Sequence, residues 1–349
     1  MKEIKDRNFC LDFVRVIAMI MIILFHFLAG IESYELLKNP DVFKVGGISL
    51  LNLGGVNLTL GNYGVSLFFI LSGVGLMYVY QDEMVVNEFY RKRIRAIYPL
   101  YYTAFITASF VQLLVKYKLN YGAPLWTLLL TVLGMDGWMA DIVSTYALVG
   151  DWFVGCIICI YILFPVLRKC MNRHPNITIV IYTLIFLLWE HIYPFDFPKR
   201  SSIVLRMFEV LLGMYYIRTN RKVTWKGALV SLVLLGIVFA VKLPVSLYIL
   251  VPVAGMSSFL VLSFIAQWLK NVKIQKVIFY MSNYSFSVFL IHHFILYMIL
   301  GALPERSLGI LGMCGMLIVC LAVIGVSGIA LKKIEEFVME TSYEKSSLN

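Results

Sequence analysis

The sequence is poor in charge. Only 14% of its 349 residues are Asp, Glu, Lys or Arg, while 60% are hydrophobic. Soluble domains average roughly 25% charged and 45–50% apolar residues, so a string of soluble domains is excluded. The mean hydropathy of +0.84 requires lipid as part of the solvent. There is no glycine-rich nucleotide loop and no second CxxC beside Cys156–Cys159. The six cysteines do not form a disulfide scaffold, and four of them sit inside apolar runs. Cys156 and Cys159 have no ligand cluster near them in sequence and read as helix packing, so no metal site is expected. The net charge of +10 would suggest nucleic acid in a soluble protein. In a membrane protein it is the excess that fixes cytoplasmic loops, and no nucleic-acid partner is expected.

What the sequence does have is long apolar runs. A spanning helix needs about 20 largely apolar residues. Ten stretches qualify or nearly qualify: 11–30, 61–80, 96–115, 146–167, 176–193, 202–217, 226–242, 246–269, 277–300 and 308–331. The sixth and seventh are short. The expectation is an all-α polytopic membrane protein of about ten transmembrane helices. Residues 1–331 form the transmembrane domain and 332–349 a short polar cytoplasmic tail. The run 125–134 is half the required length and reads as re-entrant or interfacial. The N-terminal stretch has the outline of a secretory signal, but Asp12, Arg15 and His26 interrupt it and no small-residue cleavage site follows. It reads as a retained first helix.

Positive charge orients this layout. With the N-terminus inside, the inner segments hold 20 Lys and Arg and the outer segments 8. Every inner segment has at least three, and no outer loop more than two. Both termini are therefore expected in the cytoplasm. An eleventh span at 125–134 would turn the later basic loops outward.

Charges inside a bilayer are costly and mark functional candidates. Arg15 and His26 lie eleven residues apart in the first span. That is about three turns and about 16 Å along the axis, so the two side chains leave nearly the same face. Imidazole suits proton transfer near neutral pH. Snorkelling of Arg15 to lipid phosphate and an interfacial role for His26 are the structural alternatives. In the second span, Gly61, Gly64, Gly73 and Gly75 with Ser66 and Ser72 make small faces for close helix packing or a narrow ligand. At the mouth of the third span, Arg91, Lys92, Arg93 and Arg95 precede Tyr98, Pro99, Tyr101 and Tyr102. This is either a positive-inside anchor or a site for a phosphorylated cytoplasmic ligand. Asp151, Arg206, Glu209 and His292-His293 complete the set. Arg206 and Glu209 are i, i+3 neighbours suited to a structural pair. Their depth suggests a hydrated cavity that Asp151, Arg206, Glu209 and His292 line together with His26.

These elements together resemble the acyltransferase-3 family of integral membrane acyltransferases, over nearly the whole chain. The similarity is carried by Arg15 and His26 with ten residues between them and by GVSLFFILSG at 64–73. The basic FYRKRIRAIYPLYY at 89–102 and DWFVGCIICIYILFPVL at 151–167 continue it. RMFEVLLGM at 206–214 and YSFSVFLIHH at 284–293 complete it. Two departures stand out. Ala96 fills the second arginine position before Pro99, with Arg95 one residue early. Ile157 replaces a glutamate, leaving Asp151 as the nearest carboxylate.

The resemblance implies an O-acyltransferase in a bacterial plasma membrane. It would move an acyl group, usually acetyl, from cytoplasmic acyl-CoA to a hydroxyl of a cell-surface or lipid-linked polysaccharide. Acyl-CoA is then a substrate, and no permanently bound cofactor is expected. On this reading His26 is the general base, with Arg15, Asp151, Glu209 and His292 in the catalytic set. Arg15, Arg91, Arg93, Arg95, Ser72 and Tyr284 serve the donor, and Ser72, Tyr284 or Arg206 could polarise the thioester carbonyl. Some relatives carry a fused extracytoplasmic esterase-like domain. This chain would acylate directly or use a separate extracytoplasmic partner. Direct transfer and an acyl-histidine intermediate both remain open. A transporter or flippase of an anionic lipid-linked sugar is the alternative use of a basic mouth and polar cavity. A non-catalytic membrane sensor accounts less well for Arg15 and His26.

Overall fold

The computed structural model describes residues 8–45, 48–49, 58–117, 122–220 and 222–347, with side chains of 42–49 and 341–347 outside the description. Lys2, Lys5, Arg7, Lys118 and Arg221, which entered the charge count, lie outside the described residues, as do the side chains of Lys44 and Lys345. The protein is an all-α polytopic membrane protein. Its long helices are α1 (Phe9–Ser33), α2 (Leu60–Tyr80), α3 (Val86–Lys116), α6 (Asp151–Arg173), α7 (Pro175–Ile192), α8 (Ile203–Arg218), α9 (Trp225–Ala240), α10 (Leu247–Ala266), α11 (Val272–Leu300) and α12 (Ile310–Ser347). Short helices α4 (Leu128–Leu133) and α5 (Asp136–Met139) lie between α3 and α6, and a two-residue ribbon pairs β1 (Lys44–Val45) with β2 (Ile48–Ser49).

Each of the ten expected spans falls on one long helix. Among the described residues, eight helices are long and apolar enough to cross a membrane. The other two, α8 and α9, have 16 residues each, or about 24 Å, short of a hydrocarbon core of about 30 Å. The run 125–134 forms one 3₁₀ turn and the six-residue α4, too short to span. Helix α6 begins at Asp151, five residues after the start expected from hydropathy. Gly150 (φ 80°) and Asp151 (φ 44°) are left-handed there, and that backbone cannot continue a right-handed helix upstream. The tail continues α12 as helix to Ser347.

The chain falls into two compact units. The first comprises Met1–Phe25, Phe43–Met84 and Ile162–Asn283; the second comprises His26–Val42, Val85–Tyr161 and Tyr284–Asn349. In the first, α2 and α8 cross at glycine. A Cβ on Gly73 would overlap the Val210 carbonyl, and one on Gly213 would overlap the Ile70 carbonyl. Small residues let helix backbones touch in lipid, where apolar surface alone gives no drive to associate. Val14, Ala18, Leu67, Ile70, Leu71, Val74 and Phe259 form a core there. At one end of that unit, Arg168 donates to the carbonyls of Tyr80, Gln81 and Asp82. It thereby satisfies carbonyls that the end of α2 leaves without helical partners. In the second unit, α3 packs on α12, and Phe153 of α6 meets Phe289 of α11 edge-on at 5.1 Å. Helix α7 presents most of its apolar surface outward, as a helix solvated by lipid would.

Candidate active site

The second unit gathers four titratable side chains from three helices: His26 of α1, Asp151 of α6, and His292 and His293 of α11. The first turn of α6 is fixed by its backbone. Gly150 N–H donates to the Leu290 carbonyl at 3.0 Å. Gly137 lies so close that a Cβ there would overlap the Asp151 backbone. Asp151 is thereby held at positive φ beside α11. Such backbone costs on the order of 1–3 kcal/mol and persists where the surroundings enforce it.

Hydrogen bonds order the protons of this cluster. His292 Nδ1 lies 2.6 Å from the Phe289 carbonyl. A carbonyl only accepts, so Nδ1 carries the hydrogen and Nε2 of the neutral ring holds a lone pair. His26 Nδ1 lies 2.9 Å from that Nε2 and therefore donates to it. The basic nitrogen of His26 is then Nε2. His293 Nδ1 donates to Asp151 Oδ1 at 2.9 Å, which leaves its own lone pair on Nε2 as well. The His26 and His293 rings stack with centroids 4.6 Å apart, and Tyr297 lies against His293 at 4.4 Å.

Two cavities adjoin the cluster, and both are lined by the second unit alone. The larger, about 420 Å³, is bounded by Tyr34, Lys116, Gly137, Ala147, Asp151, His293 and Tyr297, among others. The smaller, about 60 Å³, is bounded by His26, Ala29, Ser33, Tyr34, His293 and Tyr297 among others. One nitrogen or oxygen each of His26, Asp151 and His292 lies within 4.8 Å of the others, so these three could hold a divalent ion. The protein's own hydrogen bonds already engage the facing nitrogens of His26 and His292 with a shared proton, which a metal would have to displace.

The structure thus brings His26, Asp151 and His292 together. Arg206 and Glu209 belong to the first unit. Arg206 Nη1 meets Glu209 Oε2 at 3.1 Å with both side chains buried, and Arg206 Nε donates to the Arg200 carbonyl. The two form a buried ion pair through Oε2, while among the described residues Glu209 Oε1 is buried without a hydrogen-bond partner. Arg15 also lies in the first unit, bonded to Asp12 at 3.2 Å and Ser282 at 3.1 Å; Ser282 in turn donates to Asp12. Ser72 donates to the Phe68 carbonyl of its own helix. Among the basic residues of α3, Arg91 and Arg95 are exposed, whereas Arg93 lies over the rings of Phe89 and Tyr161. Lys332 lies over the ring of Tyr284.

The sequence singles out the pair His292-His293 but gives a site role only to His292, and it does not point to Tyr297, Tyr34 or Lys116. Part of the signal was present. Tyr297 follows His293 by four residues and so shares its helix face. Lys116 and Tyr34 end α3 and just follow α1, and nothing in their spacing places them at one cavity. Nearby, Asp136 of α5 is buried. Thr131 donates to its Oδ1 at 3.0 Å, and its Oδ2 has no hydrogen-bond partner. Burial raises the Asp136 carboxyl to about 6, against the pull of the Thr131 bond.

A sequence model described as an acyltransferase domain matches residues 8–331. The chain belongs to the acyltransferase-3 family. It is thus a membrane acyltransferase by family, and a transferase by class. Acyltransferase MdmB of Streptomyces mycarofaciens is 28% identical over 132 residues, which is 37% of this chain and 33% of that protein. The matched part therefore spans about a third of the relative's length. No solved structure matches the chain.

Proposed function

We propose that the protein is an O-acyltransferase of a bacterial plasma membrane. It takes an acyl group, acetyl in the simplest case, from cytoplasmic acyl-CoA and gives it to a hydroxyl of a cell-surface or lipid-linked polysaccharide. The observation that carries this reading is the ordered histidine cluster beside two cavities in a chain of an acyltransferase family. Its base is His26 Nε2, which keeps the lone pair because Nδ1 donates to His292, whose own Nδ1 donates to the Phe289 carbonyl. The acceptor hydroxyl gives its proton to that nitrogen, and its oxygen bonds to the thioester carbonyl carbon. The carbon–sulfur bond breaks, and the thiolate of CoA leaves with the proton from His26. Asp151 lies near enough to His26 and His292 to favour the imidazolium that forms in between.

The donor enters from the basic side. Arg91, Arg93 and Arg95 open α3, and α1 carries Arg15 about 16 Å from His26 along its axis, a span suited to the long arm of CoA. The excess of basic residues on alternate segments supports N-in, C-in topology. Membranes containing the protein, given acetyl-CoA labelled in the acetyl group, should yield base-labile label on glycan. Membranes with His26→Ala should not. Movement of a lipid-linked sugar across the membrane with no label incorporated would instead favour the transporter alternative.

A further inference from the structure

We propose that the cavity of about 420 Å³ seats the acceptor as a single hydroxylated ring bearing an oxyanion, with Lys116 meeting the oxyanion. This rests on the acyl-transfer reading above and adds to it a site and a substrate class. The cavity lies at the C-terminal end of α3, whose first turns carry Arg91–Arg95 at the opposite end of the same helix. Donor phosphates and acceptor would therefore approach the second unit from its two ends.

The walls suit such a ring. Tyr34 and Tyr297 supply aromatic faces, and His293 and Lys116 supply polar groups at the edges. The His293 lone pair sits on Nε2, because Nδ1 donates to Asp151, so His293 accepts from a ring hydroxyl. The Asp151 carboxylate is held by that ring, and Lys116 contributes a cation to the lining. Tyr34, His293 and Tyr297 also line the 60 Å³ cavity beside His26. A ligand in the larger cavity thus reaches His26 past His293, whose ring stacks on His26 at 4.6 Å. Small-molecule sites run from about 300 Å³ upward. The larger cavity qualifies, while the smaller has room only for the reacting group.

The test uses the full chain in membranes and, purified, in detergent. Ala147→Trp fills the cavity, Lys116→Glu reverses its charge, and Lys116→Arg keeps it. Transfer of label from acetyl-CoA should fall about tenfold or more in the first two and persist in Lys116→Arg. In all three, acetyl-CoA should raise the melting temperature of the purified protein as it does in wild type. Methyl glucuronide (carboxylate) or glucose 1-phosphate (phosphate) should compete with label transfer, and the better competitor names the oxyanion. Methyl glucoside should compete poorly. Wild-type transfer by both Ala147→Trp and Lys116→Glu would overturn the proposal. So would loss of the acetyl-CoA shift in both, which would make the cavity the donor's, or equal competition by methyl glucoside. A wild-type protein that neither transfers label nor shifts with acetyl-CoA would refute the acyltransferase reading itself.

Discussion

Replacing His292 by glutamine and by asparagine separates its two hydrogen bonds. The ring donates from Nδ1 to the Phe289 carbonyl at 2.6 Å and accepts at Nε2 from His26 at 2.9 Å. A glutamine amide can place its oxygen near the Nε2 position, and an asparagine amide can place its nitrogen near the Nδ1 position. His292→Gln should therefore keep the acceptor that orients His26, while His292→Asn keeps the backbone bond and loses that acceptor. Leaving a buried donor without its acceptor costs about 1–3 kcal/mol. Expressed in the transition state, where His26 must present Nε2, that is a fall of roughly 5- to 150-fold in rate. The assay is acyl transfer from labelled acetyl-CoA in membranes matched for protein level. The expected order is wild type, then His292→Gln, then His292→Asn, with the donor KM little changed. Equal rates in the two variants would refute the assignment of the His26 proton to Nδ1. A shift confined to donor KM would place His292 at the donor instead.

His26→Ala should lower transfer by about 10²–10⁴ while the protein still inserts. Arg15→Ala should mainly raise the acyl-CoA concentration required, and Arg15→Lys should rescue incompletely because a point charge cannot copy a planar fork. Near-normal transfer by His26→Ala would remove its role as base. Lys92→Cys and Lys38→Cys should react with an impermeant thiol reagent from opposite sides of the membrane, and equal labelling from outside would sink the N-in layout. Asp136→Asn tests the buried carboxyl of α5. Its folded value, about 6, lies above the ordinary 3.8, so the folded state holds this proton longer than the unfolded state. Wild type should therefore lose stability relative to the variant as pH rises from about 4 to about 6, by at most about 3 kcal/mol and less where solvent screens the carboxylate, and the deficit should stay constant above that. Parallel melting curves for the two proteins across that range would show that Asp136 does not titrate there.

The spans were legible because apolar length is a one-dimensional property. The late start of α6 was not. Gly150 and Asp151 have the composition of a helix entrance, but their positive φ is imposed by Gly137 and by the Leu290 carbonyl, both distant in sequence. Depth was legible in the same way as length. His26, Asp151 and His292 could be placed at similar depth from their positions in their spans. Which rings touch depends on the rotation of α1, α6 and α11 about their own axes, and hydropathy does not encode rotation. For that reason the sequence names the pair His292-His293 without showing that His293, about 100° further around the helix, is the one that meets Asp151. Spacing alone also set Arg206 and Glu209 at the same depth as the histidines, while their i, i+3 separation pointed to the pair they form.

Polar groups in a bilayer must be satisfied by other protein groups or by water, and this chain does so in three ways that differ in what they leave over. Arg206 and Glu209 pair inside the first unit, with the Arg200 carbonyl as a third partner, and among the described residues leave Glu209 Oε1 buried without a hydrogen-bond partner. Arg15 is tied to Asp12 and Ser282, yet about a third of its side chain stays exposed, so it can hold its place and still meet an anion. The cluster of His26, Asp151, His292 and His293 is tied by two short runs of hydrogen bonds, His26 to His292 to the Phe289 carbonyl and His293 to Asp151, and borders two cavities. It also includes a strained aspartate backbone, which packing alone would select against. A buried ion pair such as Arg206–Glu209 can often be exchanged for apolar residues with little loss. A histidine relay that borders open space and is held by strain has no such structural substitute. On the proposed acyl-transfer reading, proton transfer therefore belongs to the histidines of the second unit, while the Arg206–Glu209 pair of the first serves to hold its helix.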